Sequence, residues 1–178
     1  MQYWSDLYLE LANKIKTNLT QIAWVDLWHE QISYLTTELP FPTPAVFIAF
    51  NMLDGVDKGL KGQICNTQID LYLFYETFSD TYMSSVNQGS ALDFLTQITE
   101  LHKLFHGTSG DNYSEMRRVD MKREDSGDAG NLYRISFQCI VDDMSAMPVV
   151  VPQEVDEIDI ERSPIEQTQQ IDKSYLVE

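Results

Sequence analysis

The stretch Gln63-Ile-Cys-Asn-Thr-Gln-Ile-Asp-Leu-Tyr-Leu-Phe-Tyr-Glu-Thr77 decides the fold. Ile69, Leu71, Leu73 and Tyr75 alternate with Asp70, Tyr72, Phe74 and Glu76. A period of two puts each set on its own face of a strand. The length of the run predicts a long, twisted, central strand. Cys65 is in phase with Ile69, Leu71 and Leu73.

Downstream, Phe78 to Gly89 is polar and irregular. A helix is predicted from about Ser90 to His106, with Leu92, Leu95, Leu101, Leu104 and Phe105 at helical spacing. Ser90 with Asp93 resembles a capping box, and Gly107 suits the residue after a helix. Two strands follow, Met116 to Glu124 and Leu132 to Val141, around Asp125-Ser-Gly-Asp-Ala-Gly130. Glycines and aspartates between two alternating runs signal a hairpin. Cys139 is in phase with Ile135, Phe137 and Val141.

Upstream, residues 2–17 read as a helix, with Trp4, Leu7, Tyr8, Leu11 and Ile15 on one stripe and Asn18 at its end. Asp6 and Glu10 lie early and Lys14 and Lys16 late, which suits the helix dipole. Ile22 to Trp28 is short and rich in β-formers, with apolar residues on both faces, so a strand covered on both sides is expected. Glu30 to Leu39 supports no single reading. Pro40, Pro42 and Pro44 forbid helix and interior strand, so this stretch is an extended connector. It leads into a short strand, Ala45 to Phe50, and a glycine-bearing loop or hairpin tip from Leu53 to Gly62.

The order α-β-β-β-α-β-β predicts an α+β domain over residues 1–143. Its expected architecture is a mostly antiparallel sheet of four to five strands, packed by an N-terminal helix and a second helix. Residues 144–178 change character. Glu154, Asp156, Glu157, Asp159, Glu161, Glu166, Asp172 and Glu178 face only Arg162 and Lys173. This composition reads as an extended acidic arm, in which Val149, Val150 and Val151 are suited to add a strand to a neighbour.

Composition excludes several roles. The chain has 178 residues, 43% hydrophobic, with 12 Lys+Arg against 28 Asp+Glu and a net charge of −16. That suffices for a core. It argues against a broad basic surface for nucleic acid and against an anionic membrane surface. No apolar run approaches the roughly 20 residues of a bilayer span. The start, MQYWSDLYLE, has no basic region followed by an apolar stretch, so no secretory signal is expected. A reducing cytoplasm is then the site of synthesis, Cys65 and Cys139 read as buried thiols, and Asn18 and Asn112 carry no weight as glycosylation sites.

No chemical motif stands out. His102 and His106 share a helix face, half of a metal arrangement, but no third ligand stands at a motif distance. Asp54 and Asp57, and the acids from Asp120 to Asp128, fail the calcium-loop spacing. Nucleophile elbows, phosphate loops and C-x-x-C are absent, and Gly107-Thr-Ser-Gly110 follows a helix instead of opening one. No catalytic residue, metal or cofactor is expected.

One charge feature is informative. Arg117, Arg118, Lys122, Arg123 and Arg134 cluster on the last hairpin of an otherwise acidic chain. One reading is local pairing with Glu115, Glu124 and Asp125. The other is a basic patch that meets an acidic surface of another copy, which favours head-to-tail association and ring closure.

A resemblance adds to this. Ile22-Ala-Trp-Val-Asp-Leu-Trp-His-Glu-Gln31, Pro40-Phe-Pro-Thr-Pro-Ala-Val-Phe-Ile48, Ile69-Asp-Leu-Tyr-Leu-Phe74 and Leu92-Asp-Phe-Leu-Thr-Gln-Ile98 resemble small structural proteins of tailed-phage and prophage tail modules in Bacteroides-type hosts. The element order over residues 1–142 is similar to the tail terminator family, also called tail completion or head–tail joining proteins. The resemblance implies a homo-oligomeric ring, commonly six-fold, at the head-proximal end of the tail. Such a ring stops tube polymerisation and joins tail tube protein to head connector. It also implies a virion protein made in the host cytoplasm, with DNA only passing through an acidic channel and no membrane partner. Rival readings are another neck, minor tail or head-completion protein, or a non-enzymatic protein-binding module.

Overall fold

The computed structural model describes residues 3–34, 41–76, 80–127 and 130–148. Helix α1 spans Tyr3–Asn18 and buries Leu7, Leu11 and Ile15. Each contributes roughly 1.5–3 kcal/mol on leaving water. Strand β1 is Trp24–Leu27, followed by a 3-10 turn at Gln31–Tyr34. Strands β2 (Ala45–Asp57) and β3 (Gln63–Tyr75) form a long hairpin. Helix α2 is Gln88–Phe105, and β4 (Arg117–Glu124) and β5 (Asn131–Asp143) close the fold. The sheet order is β1-β2-β3-β5-β4. All pairings are antiparallel except β1 with β2, so the expected α+β architecture is observed, with five strands. Strand β3 is central, as its alternation predicts.

The two faces of the sheet carry different clusters. Ile69, Leu71 and Leu73 of β3, with Ile135, Phe137 and Val141 of β5, pack under both helices. On the opposite face Ala45, Phe47, Phe74 and Leu132 pack with Ile32, Phe41 and Trp28. The Trp28 ring stacks on Tyr72 at 4.0 Å between centroids. This second cluster covers only one end of its face.

Four expectations are corrected. Strand β1 is not covered on both sides. It is an edge strand that pairs with β2 alone, and Trp24 on one face and Leu27 on the other are 40% and 45% exposed. The stretch from Leu53 is not all loop, since β2 continues to Asp57 and only residues 58–62 turn. Its distal half is held from one side by β3, across a bulge between Met52 and Asp54. Asp54 and Asp57 are therefore strand residues. Helix α2 starts at Gln88, with Asn87 at its cap and no side-chain capping bond, so Ser90 lies inside the helix. Its core face is Phe94, Ile98, Leu101 and Phe105, while Leu92 and Leu95 are each 54% exposed. Gly107 behaves as predicted, with φ +73° after the cap residue His106.

Two further placements complete the description. Cys65 and Cys139 are buried free thiols, both under the helices. Residues 106–116 form a bonded connector from α2 to β4. Gly107 N–H donates to the Met116 carbonyl and Met116 N–H to that of Thr108. Glu10 of α1 accepts the N–H groups of Asp111 and Asn112. Residues 35–40, with Pro40, and residues 149–178, with Val149, Val150 and Val151, lie outside the described residues.

Candidate subunit interface

Strand β4 forms one edge of the sheet, and its five-residue basic set divides in two. Arg134, on the neighbouring β5, is only 21% exposed. Its guanidinium faces three carboxylates: Glu124 at 3.0 Å, Asp120 at 3.5 Å and Asp70 at 3.8 Å. Lys122 pairs with Glu124 at 3.1 Å. Local pairing therefore accounts for Arg134 and Lys122, and Arg134 belongs to the sheet's own structure. Arg117, Arg118 and Arg123 form no ion pair among the described residues. They stand along an edge strand as a basic row that repels another basic edge and is complemented only by an acidic one.

Asp70 anchors the polar part of the open face. It is 1% exposed, on the central strand. It accepts hydrogen bonds from Asn51 Nδ2 at 2.8 Å, from Gln68 Nε2 at 3.0 Å and from the Ser136 hydroxyl. A buried carboxylate needs such donors, because its desolvation is otherwise uncompensated. Alternation along β3 made Asp70 legible as a residue opposite the core face; its partners come from β2 and β5, which no local pattern signals.

The opposite edge is where sequence reasoning missed most. Strand β1 covers only Ala45–Ile48 of β2. From Ala49 to Asp57, β2 has β3 on one side and no strand on the other among the described residues. Met52, Leu53 and Val56 are exposed there. Beside it, α1 and the sheet leave an apolar groove of about 340 Å³, lined by Trp4, Ser5, Tyr8, Leu9, Leu27 and Phe50. A strand signal beyond Phe50 was hidden by Asp54 and Gly55, which read as turn residues.

His102 and His106 stand together at the end of α2, and both thiols are buried. The His102 and His106 rings lie 4.6 Å apart between centroids. His106 Nδ1 accepts the Arg118 backbone N–H at 3.1 Å. Burial lowers the His102 pKa, helped by Arg118 and His106. Burial pushes the Cys139 thiol up to about 12, and burial with Asp143 and Asp142 raises that of Cys65. No group of three metal-ligating side chains occurs among the described residues. No described helix is long and apolar enough to cross a membrane.

No protein-family model and no curated protein matches the chain. Among solved structures, a chain of a virion of a native gene transfer agent particle is similar at 13% identity and a TM-score of 0.34. The match covers 75% of this chain and 84% of that one. A superposition of that quality leaves function to the chain's own surface.

Proposed function

We propose that this chain is a phage-derived structural assembly protein that works by self-association, as a tail-terminator-like ring between tail tube and head connector. The observation that carries the reading is the sheet itself. Among the described residues it has two edges of different chemistry that no further strand covers, one basic and one acidic and apolar, at opposite sides of the sheet. Two different patches that complement each other give a head-to-tail contact, and head-to-tail contacts close into rings when the rotation permits. Segment order and the short sequence patches resembling tail terminators support the assignment to a virion. Catalysis has no comparable support, since no catalytic motif stands out in the sequence. The expected partners are further copies, tail tube protein and a neck protein, with DNA only passing through. Under this reading residues 144–178 form an arm that reaches a neighbour, with Val149, Val150 and Val151 as its strand-forming segment.

The test is solution mass by light scattering across a concentration series, at low and moderate salt, with and without tube protein. A defined oligomer near six subunits that weakens as salt rises supports the ring. A monomer under every condition, including with tube protein, refutes it and favours a simple binding module.

A further inference from the structure

We infer that the free edge of β2, Ala49–Asp57, receives strand β4 of a second copy of this chain as an added strand. The inference rests on the ring reading and names the surfaces that would form it.

Four observations converge on this pairing. The first is length. Strand β1 pairs four of the thirteen residues of β2, so nine are left, and β4 has eight. The second is edge chemistry. Lysine, arginine and proline are the usual guards of an exposed edge, and Ala49–Asp57 contains none of them. It carries instead the exposed apolar side chains of Met52, Leu53 and Val56 with the acids Asp54 and Asp57. The third is charge. Arg117, Arg118 and Arg123 of β4 lack acid partners among the described residues, so an acidic edge complements them. The fourth is shape. Val119 and Met121 of β4 are 46% and 44% exposed. An added strand would lie end to end with β1, beside the groove of Trp4, Tyr8, Leu9, Leu27 and Phe50. Apolar side chains on its helix-side face would enter that groove, and flanking arginines would lie against the Trp4 and Tyr8 rings.

Strand sense agrees as well. Three antiparallel pairings, β2–β3, β3–β5 and β5–β4, make β4 antiparallel to β2 within one copy. In a ring whose axis runs along the strands, every copy keeps the same strand sense. Strand β4 of one copy then meets β2 of the next antiparallel, the arrangement already used by every long pairing in this sheet. The joint continues one sheet from copy to copy.

The test is a charge swap on the full-length protein. One variant carries Asp54→Lys and Asp57→Lys, the other Arg117→Glu and Arg118→Glu, the arginines that fall beside Asp54 and Asp57 when Met52 lies opposite Met121. Asp54, Asp57 and Arg117 are exposed and Arg118 is half-buried at the surface, so circular dichroism and thermal melts should stay close to the parent. Each variant alone should associate at least about 100-fold more weakly than the parent, since like charges then face each other. An equimolar mixture should recover assembly, because each altered edge meets a complementary one. A second measurement is independent of charge: Met52→Cys on one copy and Met121→Cys on another should cross-link under mild oxidation. If the parent forms a ring but both variants assemble like it and the cysteines do not cross-link, the β2–β4 joint is wrong and the ring survives. If the parent is monomeric even with tube protein, the ring reading and this joint fall together.

Discussion

Replacing Asp70 with alanine tests how the open face is held. Its carboxylate is 1% exposed and accepts from Asn51, Gln68 and the Ser136 hydroxyl, with Arg134 at 3.8 Å. Asn51 and Gln68 are partly solvated and can turn to water after the change. The Ser136 hydroxyl is 1% exposed and cannot. Leaving a buried hydroxyl unsatisfied costs about 1–3 kcal/mol, and losing hydrogen bonds to a charged group costs about 1.5–3. Arg134 keeps Asp120 and Glu124, so no unpaired buried cation is added to the cost. The expected loss is about 3–4 kcal/mol, or roughly 10 °C in Tm for a domain of this size. Urea titration followed by tryptophan fluorescence, with thermal circular dichroism, measures both. A cycle with Ser136→Ala should show about 1–2 kcal/mol of coupling, because the two side chains share one bond. A loss below about 1 kcal/mol for Asp70→Ala, or strict additivity with Ser136→Ala, would refute the account of this network.

Further outcomes follow from the core. Leu101→Ala, at a fully buried site on α2, should cost about 2–5 kcal/mol, whereas Leu95→Ala on the solvent side should change stability by about 0.5 kcal/mol or less in chemical denaturation. The Cys139 thiol ionises near 12 when folded, above its unfolded value near 9. Its contribution is therefore complete below pH 9 and is lost as pH rises from 9 toward 12. Alkaline melts should steepen over that window, less so in Cys139→Val, and native Cys139 should resist iodoacetamide at pH 8. His102 runs the other way. Its folded pKa lies below its ordinary value of 6.5, so the unfolded chain binds the proton first. Stability should fall as pH drops below about 6.5, and His102→Gln should flatten that slope in pH-dependent melts.

Sequence legibility followed the range of the interactions involved. Helix α1 and strand β3 were readable because one stripe or one alternation sufficed, and the β4–β5 hairpin because its turn chemistry is local. Helix α2 was readable as a helix but not in its facing. Leu92 and Leu95 compete with Phe94 and Ile98 for the core, and the Phe94 contacts with Tyr75 and Tyr133 that decide it come from two distant strands. The distal half of β2 looks like loop because its order comes from β3 alone. The parallel placement of β1 beside β2 has no signature within either segment. Of the interface, the basic set was legible as charge, but only the three-carboxylate setting of Arg134 separates it from Arg117, Arg118 and Arg123.

The bonded connector between α2 and β4 has a practical consequence for anyone attaching a label. Residues 107–116 look in sequence like the natural place to insert a tag, with two glycines and several small polar residues. In the fold most of their amides are committed. Ser114 N–H donates to the Ile140 carbonyl and Ile140 N–H to the Ser114 hydroxyl, and Glu10 takes those of Asp111 and Asn112. At Gly110 even a methyl group would meet the Glu10 carboxylate and the Tyr113 ring. An insertion there would detach the first helix from the last hairpin. The turn at residues 58–62 hangs on one backbone bond, Lys58 N–H to Gly62 O, and one surface ion pair, Lys58 with Asp142. A fluorophore or epitope belongs at that tip, where the chain can lengthen without disturbing the fold of the single copy and where it would report on the neighbouring β2 edge.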